Sequence, residues 1–303
     1  MKPNLIIPGA PRSATTWLAQ YLSKHDDIFA PSIKEPRFFL KDPIVRLPSN
    51  DNLKNFLLQT SVLDENEYFG LYNTNQKNYK YYVDASVHYL FYYAHVIPQI
   101  KEKLGDSVFI ILILRNPIDR AVSNYAYIKK KFCDKTFEEI IKGEFRDEFK
   151  NHYAFHQLFR QGLYFDGVDA FLKNFKNVQI LFYDELENAD LVKEKLSKFL
   201  KLDFNPISFP MIANTSSAKS FTSFLSKKQK KTVLNLMCIF FGQKKTHSFI
   251  QKIKDILFFF KKEKVQIQDV CSPELFQLLQ ARYRGDIVKL EGRLNVDLSK
   301  RKV

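Results

Sequence analysis

The fold is indicated first by residues 4–22, whose sequence is Asn4-Leu-Ile-Ile-Pro-Gly-Ala-Pro-Arg-Ser-Ala-Thr-Thr-Trp-Leu-Ala-Gln-Tyr-Leu22. Residues 4–8, which are apolar after Asn4, predict a short buried strand, and residues 9–17, which are mostly small, predict a tight loop. From Thr16 onward, apolar side chains recur at the spacing of a helix. The stretch therefore predicts a strand, a loop and a helix, in that order.

The same order of elements recurs further along the chain. Val108–Leu114 is an unbroken apolar run, which is typical of a parallel strand covered on both faces. A helix is predicted from Pro117 to about Lys130, because proline is favoured in the first turn. Two more strands are predicted at 81–84 and 178–183, and an aromatic helix is predicted after the first of them. Strands that alternate with helices predict an α/β fold of three layers around a central parallel sheet.

The composition is that of a globular protein with an excess of positive charge. The 303 residues are 45% apolar, which suits one domain over residues 1–303. The formal net charge of +14 creates a field that attracts anions. Nucleic acid, an anionic membrane, a polyanionic glycan and a nucleotide-like substrate all fit this field, and the charge alone does not choose among them.

The cysteines and the apolar runs indicate a cytoplasmic protein. Cys133, Cys238 and Cys271 are odd in number and widely spaced, so they predict no disulfide framework and fit a reducing compartment. The apolar run at residues 5–7 is too short for a signal peptide. No stretch reaches the roughly 20 apolar residues of a membrane span, so we expect at most a peripheral contact with a membrane.

The loop at residues 9–16 has the outline of a P-loop, which binds an anion through backbone N–H groups and hydroxyls at a helix N-terminus. The Walker pattern requires glycine and lysine where this chain has Ala14 and Thr15. A different cation, Arg12, stands earlier in the loop. This arrangement favours a compact tetrahedral anion over a nucleoside triphosphate with Mg²⁺. Taken alone, the loop also fits an ordinary turn between a strand and a helix.

A second candidate anion site follows the predicted strand at 108–114. Arg115 stands where that strand ends, at the edge where open α/β sheets bind ligands. Ser123 lies two turns along the next helix, and an arginine fork with a hydroxyl suits a phosphate dianion. Considered alone, this pair also fits a helix-capping arginine and a solvent-facing serine.

These two segments resemble the donor-binding motifs of sulfotransferases that use 3′-phosphoadenosine-5′-phosphosulfate (PAPS). Pro8–Leu18 is similar to the 5′-phosphosulfate loop of that family, although the family usually has glycine at position 14. Leu114–Tyr125 is similar to its 3′-phosphate motif, and 214–220 falls where the family closes a loop over the nucleotide. The resemblance implies PAPS as donor, no metal, and Arg12 as a catalytic cation. The implied donor-binding residues are Arg12, Ser13, Ala14, Thr15, Thr16, Trp17, Arg115, Ser123, Lys219 and Ser220.

A candidate base is present in Lys34–Phe39, which resembles the Lys-Glu-Pro-x-Phe-Phe element of glycan-type and related bacterial sulfotransferases. The resemblance implies that Glu35 is the catalytic base and that both it and Arg37 contact the acceptor. Pro36 should push Glu35 toward an extended conformation. The neighbouring phenylalanines should exclude water and thereby raise the pKa of its carboxyl.

His88 is the competing candidate, because cytosolic small-molecule sulfotransferases use a histidine ahead of the 3′-phosphate motif. The surrounding stretch 84–90 is more similar to the glycan-type Glu-Lys-Ser-Pro-x-Tyr-Phe element, with Ala85 in place of its lysine. That similarity implies Asp84 and Ser86 as acceptor contacts. Both candidate bases remain open at this point.

The region 226–264 differs from the rest, with eleven lysines against Asp255 and Glu263. We predict two amphipathic basic helices within an insertion at 226–268 on the acceptor side. Their basic faces fit solvent, an acidic or lipid-linked acceptor, or shallow contact with an anionic bilayer.

The sequence as a whole predicts a sulfotransferase that moves a sulfuryl group from PAPS to a hydroxyl or amine acceptor, with a carbohydrate or glycolipid favoured. A P-loop-type nucleotide or small-molecule kinase is one alternative, and the missing Walker lysine argues against it. A nonenzymatic anion-binding adaptor is another. The chain has no RNA-recognition, helix-turn-helix or zinc-finger signature, so no nucleic-acid partner is expected. The oligomeric state is not indicated.

Overall fold

The computed structural model describes residues 1–48, 52–74, 77–129, 134–148, 157–205 and 265–299. Within these ranges a parallel five-stranded sheet has the order β2-β3-β1-β4-β5. The strands are β1 (Leu5–Gly9), β2 (Ile28–Phe29), β3 (Tyr81–Asp84), β4 (Phe109–Leu114) and β5 (Asn177–Phe182). The long β4 pairs with β5 along its whole length, from Phe109 opposite Asn177 to Leu114 opposite Phe182.

Helices cover both faces of the sheet, as the unbroken apolar run of β4 predicts. Ile111 and Ile113 pack in one apolar cluster with side chains of the helices at 15–22 and 189–200, and Ile110 and Leu112 pack in another with those at 93–104 and 165–174. The predicted three-layer α/β architecture is therefore confirmed. The helices are α1 (Thr15–Leu22), α2 (Lys41–Val45), α3 (Asn52–Thr60), α4 (Glu65–Gly70), α5 (Tyr93–Leu104), α6 (Pro117–Ile128), α7 (Phe137–Phe145), α8 (Phe165–Asn174), α9 (Ala189–Leu200) and α10 (Pro273–Leu294).

The aromatic segment 85–92 forms turns, so the helix predicted directly after β3 begins later, at Tyr93. Tertiary contacts account for the difference, because this segment packs against the end of β1. The N–H of Leu90 donates to the carbonyl of Pro8 at 2.8 Å. A Cβ on Gly9 would lie 2.7 Å from the Cβ of Leu90, so only glycine permits this approach.

The carboxyl ends of the strands lie along one edge of the sheet, which is where such sheets bind ligands. The loop after β1, the turn after β3 and the segments after β4 and β5 all start there. The N–H of Ala10 donates to the carbonyl of Ile113 at 2.8 Å, which fixes the loop after β1 to the end of β4. This edge brings together the sequence motifs that predict anion binding.

The predicted basic helices at 226–264 lie outside the described residues, and one domain over 1–303 stays a prediction. Helix α10 packs on α8, where Asp286 accepts hydrogen bonds from the N–H groups of Tyr164 and Phe165. No helix in the described part of the chain combines the length and the apolar character needed to cross a bilayer.

Candidate active site

The loop after β1 presents a buried hydroxyl at the N-terminus of α1. Ser13 is fully buried, and its Oγ has no hydrogen-bond partner among the described residues. Leaving a buried hydroxyl unpaired costs about 1–3 kcal/mol, so such a group calls for a ligand or water. Thr15 and Thr16 open the helix beside it. Buried hydroxyls and helix N–H groups suit an anion such as the 5′-phosphosulfate of PAPS.

The two predicted anion motifs meet at this edge of the sheet. Nη1 of Arg115, just after β4, donates to the backbone carbonyl of Arg12 at 2.9 Å, although 103 residues separate the two. Nε of Arg12 donates to Oγ of Ser123 on α6 at 3.2 Å. Each motif therefore contacts the other, and the two guanidinium groups face one site.

Two tyrosines that the sequence analysis missed lie against these guanidinium groups. Arg12 lies 5.3 Å from the ring centre of Tyr127, and Arg115 lies 4.5 Å from that of Tyr183, both in the range of cation–π contacts. Tyr127 follows Ser123 by one helical turn, so helical spacing offers a signal for it. Tyr183 directly follows β5, the parallel neighbour of β4, so the shared sheet edge offers a signal for it.

Arg115 is positioned through its own backbone. Asn116 caps α6 by accepting hydrogen bonds from the N–H groups of Ile118 and Asp119, with Pro117 in the first turn as predicted. The hydroxyl of Tyr164 donates to the carbonyl of Arg115 at 3.0 Å. The Nε of Arg115 is buried without a partner in the described ranges, so this N–H is left to donate to a bound anion.

Arg12 stays positively charged at neutral pH. Burial, with a smaller effect of the nearby charge of Arg115, lowers its pKa to about 10. The carboxylate of Glu35 opposes this shift, which places Glu35 within electrostatic reach of the phosphate loop. The candidate base and the candidate anion site therefore share one region.

Glu35 lies between two cations. Its Oε1 is 2.8 Å from Nζ of Lys34, and its Oε2 is 2.6 Å from Nη2 of Arg37. The expected extended backbone is wrong, because φ is 61° at Glu35 and 53° at Arg37, both left-handed values. Besides these ion pairs, the N–H of Arg37 donates to Oγ of Ser86, and the chain keeps this tight conformation in spite of Pro36.

The expected rise in the pKa of Glu35 is also wrong. Burial alone raises that pKa, but the charges of Lys34 and Arg37, with a smaller effect of His88, outweigh burial and hold it well below its usual range. Glu35 is therefore ionised throughout the physiological pH range. The prediction from sequence considered only the effect of burial on the pKa of this carboxyl and omitted the charges of Lys34 and Arg37.

His88 is buried close to Glu35. Burial lowers the pKa of His88 to about 3, although the carboxylate of Glu35 acts in the opposite direction. The imidazole is therefore neutral at physiological pH.

The predicted acceptor contacts at Asp84 and Ser86 stay predictions. Both side chains have 0% exposure. The oxygens of Asp84 accept hydrogen bonds from neighbouring hydroxyls, including that of Ser86 at 2.6 Å. Asp84 is therefore enclosed by hydroxyl donors of the protein itself.

A family model described as a sulfotransferase domain matches residues 2–255. The chain belongs to the sulfotransferase domain family. Its structure is similar to the crystal structure of a sulfotransferase from Alicyclobacillus acidocaldarius, with a TM-score of 0.69 and 23% sequence identity over 99% of this chain and 98% of that chain. The sulfotransferase domain of the olefin synthase from Synechococcus PCC 7002 has 15% identity and a TM-score of 0.39 over 67% of this chain and 75% of that one. No curated protein matches the chain.

Sulfuryl transfer is the chemistry of this family, so the predicted family and the general activity are confirmed. Hydrogen bonds in the sulfotransferase join Arg12 to Ser123 and Arg115 to the backbone of Arg12. Trp17 stacks on Tyr21 of the same helix, with ring centres 5.3 Å apart, and its predicted contact with the donor stays a prediction.

Two of the predicted donor contacts of the sulfotransferase, Lys219 and Ser220, lie outside the described residues. In the described ranges no group of three or more His, Cys, Asp or Glu side chains is placed to hold a metal ion.

Ala14, which stands where the family usually has glycine, adopts the left-handed conformation with φ 63°. We expect Ala14→Gly to raise the free energy of unfolding by up to about 1 kcal/mol, because glycine adopts this conformation without steric strain. Urea unfolding measures the change.

The matched control for that substitution is Ala19→Gly, which lies inside α1. It should lower the free energy of unfolding by about 1 kcal/mol, since glycine is unfavourable in a helix interior. If Ala14→Gly destabilises the protein as much as the control, Ala14 is not strained.

Proposed function

We propose that this sulfotransferase moves a sulfuryl group from PAPS to a hydroxyl or amine of a carbohydrate or glycoconjugate. One observation supports the donor most directly: Nη1 of Arg115 lies 2.9 Å from the backbone carbonyl of Arg12. PAPS carries negative charge at both ends of a short nucleotide. Two cation sites that belong to separate motifs but share one sheet edge match that distribution of charge.

The donor would be held by groups of two kinds. Ser13, Thr15 and Thr16, with the N–H groups at the start of α1, suit the 5′-phosphosulfate. Arg115 and Ser123 suit the 3′-phosphate, because a guanidinium fork and a hydroxyl match the oxygens of a phosphate dianion. No lysine stands at the Walker position, so this loop is less suited to a triphosphate.

The reaction requires a base and a stabilised leaving group. As the acceptor oxygen or nitrogen bonds to sulfur, Glu35 accepts its proton, and the bond between sulfur and the bridging phosphate oxygen breaks. Negative charge then grows on that phosphate oxygen, where the buried positive charge of Arg12 stabilises it. Glu35 and Arg12 lie within electrostatic reach of each other, as this division of roles requires.

The carbohydrate acceptor is supported by the likeness of Lys34–Phe39 to the glycan-type element and by the net charge of +14. A wild-type preference for phenols over glycans and glycolipids would overturn this part of the proposal. A cytoplasmic location, and peripheral membrane contact through 226–264, stay predictions from the cysteine count and the lysine pattern.

Calorimetry with adenosine 3′,5′-bisphosphate (PAP) and with ATP tests the donor site. We expect PAP to bind with the same affinity in EDTA and in Mg²⁺, and ATP to bind weakly in both. The expectation follows from a site built of guanidinium groups, hydroxyls and backbone N–H groups.

Two contrary outcomes are distinguishable in the same titrations. Tight ATP binding that requires Mg²⁺ would favour the kinase alternative. Binding of neither nucleotide would favour the anion-binding adaptor and overturn the proposed donor.

A further inference from the structure

Asp84, at the carboxyl end of β3, is a fully buried carboxylate that forms no ion pair with the described residues. Three hydroxyls donate to it instead. Ser86 Oγ lies 2.6 Å from its Oδ1, and the hydroxyls of Tyr68 and Tyr89 lie 2.8 and 3.1 Å from its Oδ2. Removing a carboxylate from water is unfavourable, so packing alone does not explain why a carboxylate occupies this buried position.

Two of these hydroxyls also contact the segment that contains Glu35, and we call them the bridging hydroxyls. Ser86 Oγ accepts a hydrogen bond from the N–H of Arg37 at 3.0 Å. The hydroxyl of Tyr89 accepts one from the N–H of Phe39 at 3.4 Å. Because each hydroxyl donates its proton to Asp84, a lone pair is left to face the backbone N–H.

We propose that Asp84 is a positioning residue that holds the backbone of residues 35–39 in place through the bridging hydroxyls. The segment needs such support, because Glu35 and Arg37 both have left-handed φ values. A carboxylate on a misplaced backbone would no longer meet the acceptor, and small displacements of reacting groups slow catalysis strongly. The catalytic part of this inference rests on the proposed role of Glu35.

Asp84→Asn tests the proposal, because both bridging hydroxyls need Asp84 to accept their protons. The two bridging hydroxyls contact different oxygens of Asp84, Ser86 at Oδ1 and Tyr89 at Oδ2. An asparagine replaces one of these oxygens with an NH₂ group, whichever way its amide turns. The hydroxyl that faces the NH₂ group must accept from it, so its own proton loses its acceptor and has to turn to a new direction beside the backbone N–H. One bridge is therefore weakened although the side chain keeps its shape.

Tyr68 supplies a matched control. Its hydroxyl donates to the same Oδ2 as Tyr89, but it makes no hydrogen bond to the backbone of residues 35–39. Its ring stacks on Phe38 at 4.3 Å, and Tyr68→Phe keeps that ring. Tyr68→Phe and Tyr89→Phe thus remove equivalent bonds to Asp84, and only the second removes a bridge.

The experiment compares Asp84→Asn, Ser86→Ala, Tyr89→Phe and Tyr68→Phe in the full chain. We expect kcat to fall on the order of 10²-fold in Asp84→Asn and Ser86→Ala, less in Tyr89→Phe, and to change little in Tyr68→Phe. The Kd for PAP should stay within about twofold of wild type in all four, since the donor site is separate. Hydrogen exchange of the Arg37 amide should accelerate in Ser86→Ala, and in Asp84→Asn exchange should accelerate at Arg37 or at Phe39, according to which bridging hydroxyl faces the NH₂ group.

A proportional loss of kcat and thermal stability in all four variants would reduce Asp84 to a structural role and overturn the proposal. Unchanged exchange of the Arg37 amide in Ser86→Ala would also overturn it. If Asp84→Asn does not fold, Ser86→Ala against Tyr68→Phe decides the question. If wild type binds no PAP, the proposed function fails, and the exchange measurement still tests the positioning.

Discussion

Replacing Glu35 with glutamine should lower the rate of sulfuryl transfer about 10²–10⁴-fold while the affinity for PAP stays close to that of wild type. Glutamine has nearly the shape of glutamate, and its one carbonyl oxygen can accept a hydrogen bond from Lys34 or from Arg37, but it cannot accept a proton from the acceptor. Single-turnover transfer from labelled PAPS, with a panel of glycan, glycolipid and phenolic acceptors, measures the rate. Calorimetry with PAP measures the affinity.

The matched control is Glu65→Gln. Glu65 also pairs with a lysine, its Oε2 lying 2.9 Å from Nζ of Lys103, but it is more exposed and belongs to α4. Removing an exposed ion pair has little effect, so this variant should transfer at the wild-type rate. Wild-type transfer by Glu35→Gln itself would mean that the base is elsewhere, with His88 as the next candidate.

The low pKa of Glu35 limits its strength as a catalytic base. An ionised carboxylate is always in the form that accepts a proton, but a low pKa makes it a weak base. Lys34 and Arg37 cause that low pKa, and the side chain of Lys34 is 29% exposed. Movement of Lys34 toward an anionic donor or acceptor would leave Glu35 with fewer cations and a higher pKa.

The sequence was sufficient to predict the fold and the meeting of the two anion motifs. The run at 108–114 is too apolar for a half-exposed strand, so a buried parallel sheet was the remaining choice. Once the sheet is parallel, the ends of its strands share one edge. Arg115 and the loop that contains Arg12 both follow a strand directly, so their proximity follows from topology.

The details around Glu35 could not be predicted in the same way. The backbone of Glu35 and Arg37 departs from the preference that Pro36 sets, and the ion pairs and hydrogen bonds of this segment form only in the folded chain. Whether a pKa rises or falls depends on the balance between burial and nearby charges. The sequence does not give the distances between charged groups that decide this balance. The enclosure of Asp84 by hydroxyls joins elements that are far apart in sequence, and no local pattern indicates it.

The second large effect is expected for Arg115→Lys, which should weaken PAP binding about 10²-fold. Lysine keeps the positive charge but loses the planar fork. In the structure the guanidinium of Arg115 contacts the carbonyl of Arg12, stacks on Tyr183 and keeps its Nε without a partner in the described ranges. A single ammonium cannot hold the carbonyl and bind a phosphate with two parallel hydrogen bonds. Arg146→Lys on the exposed end of α7 should have no effect.

Comparing PAP with adenosine 5′-monophosphate (AMP), which lacks the 3′-phosphate, separates the two tasks of Arg115. If Arg115 binds the 3′-phosphate, Arg115→Lys weakens PAP binding far more than AMP binding, because only PAP loses a charge-assisted fork. If Arg115 mainly supports the loop through the carbonyl of Arg12, both nucleotides lose affinity equally. Equal losses would therefore contradict the assignment of the 3′-phosphate to Arg115, even with PAP binding intact in wild type. A selective loss would show that the two motifs, 103 residues apart, bind opposite ends of one nucleotide.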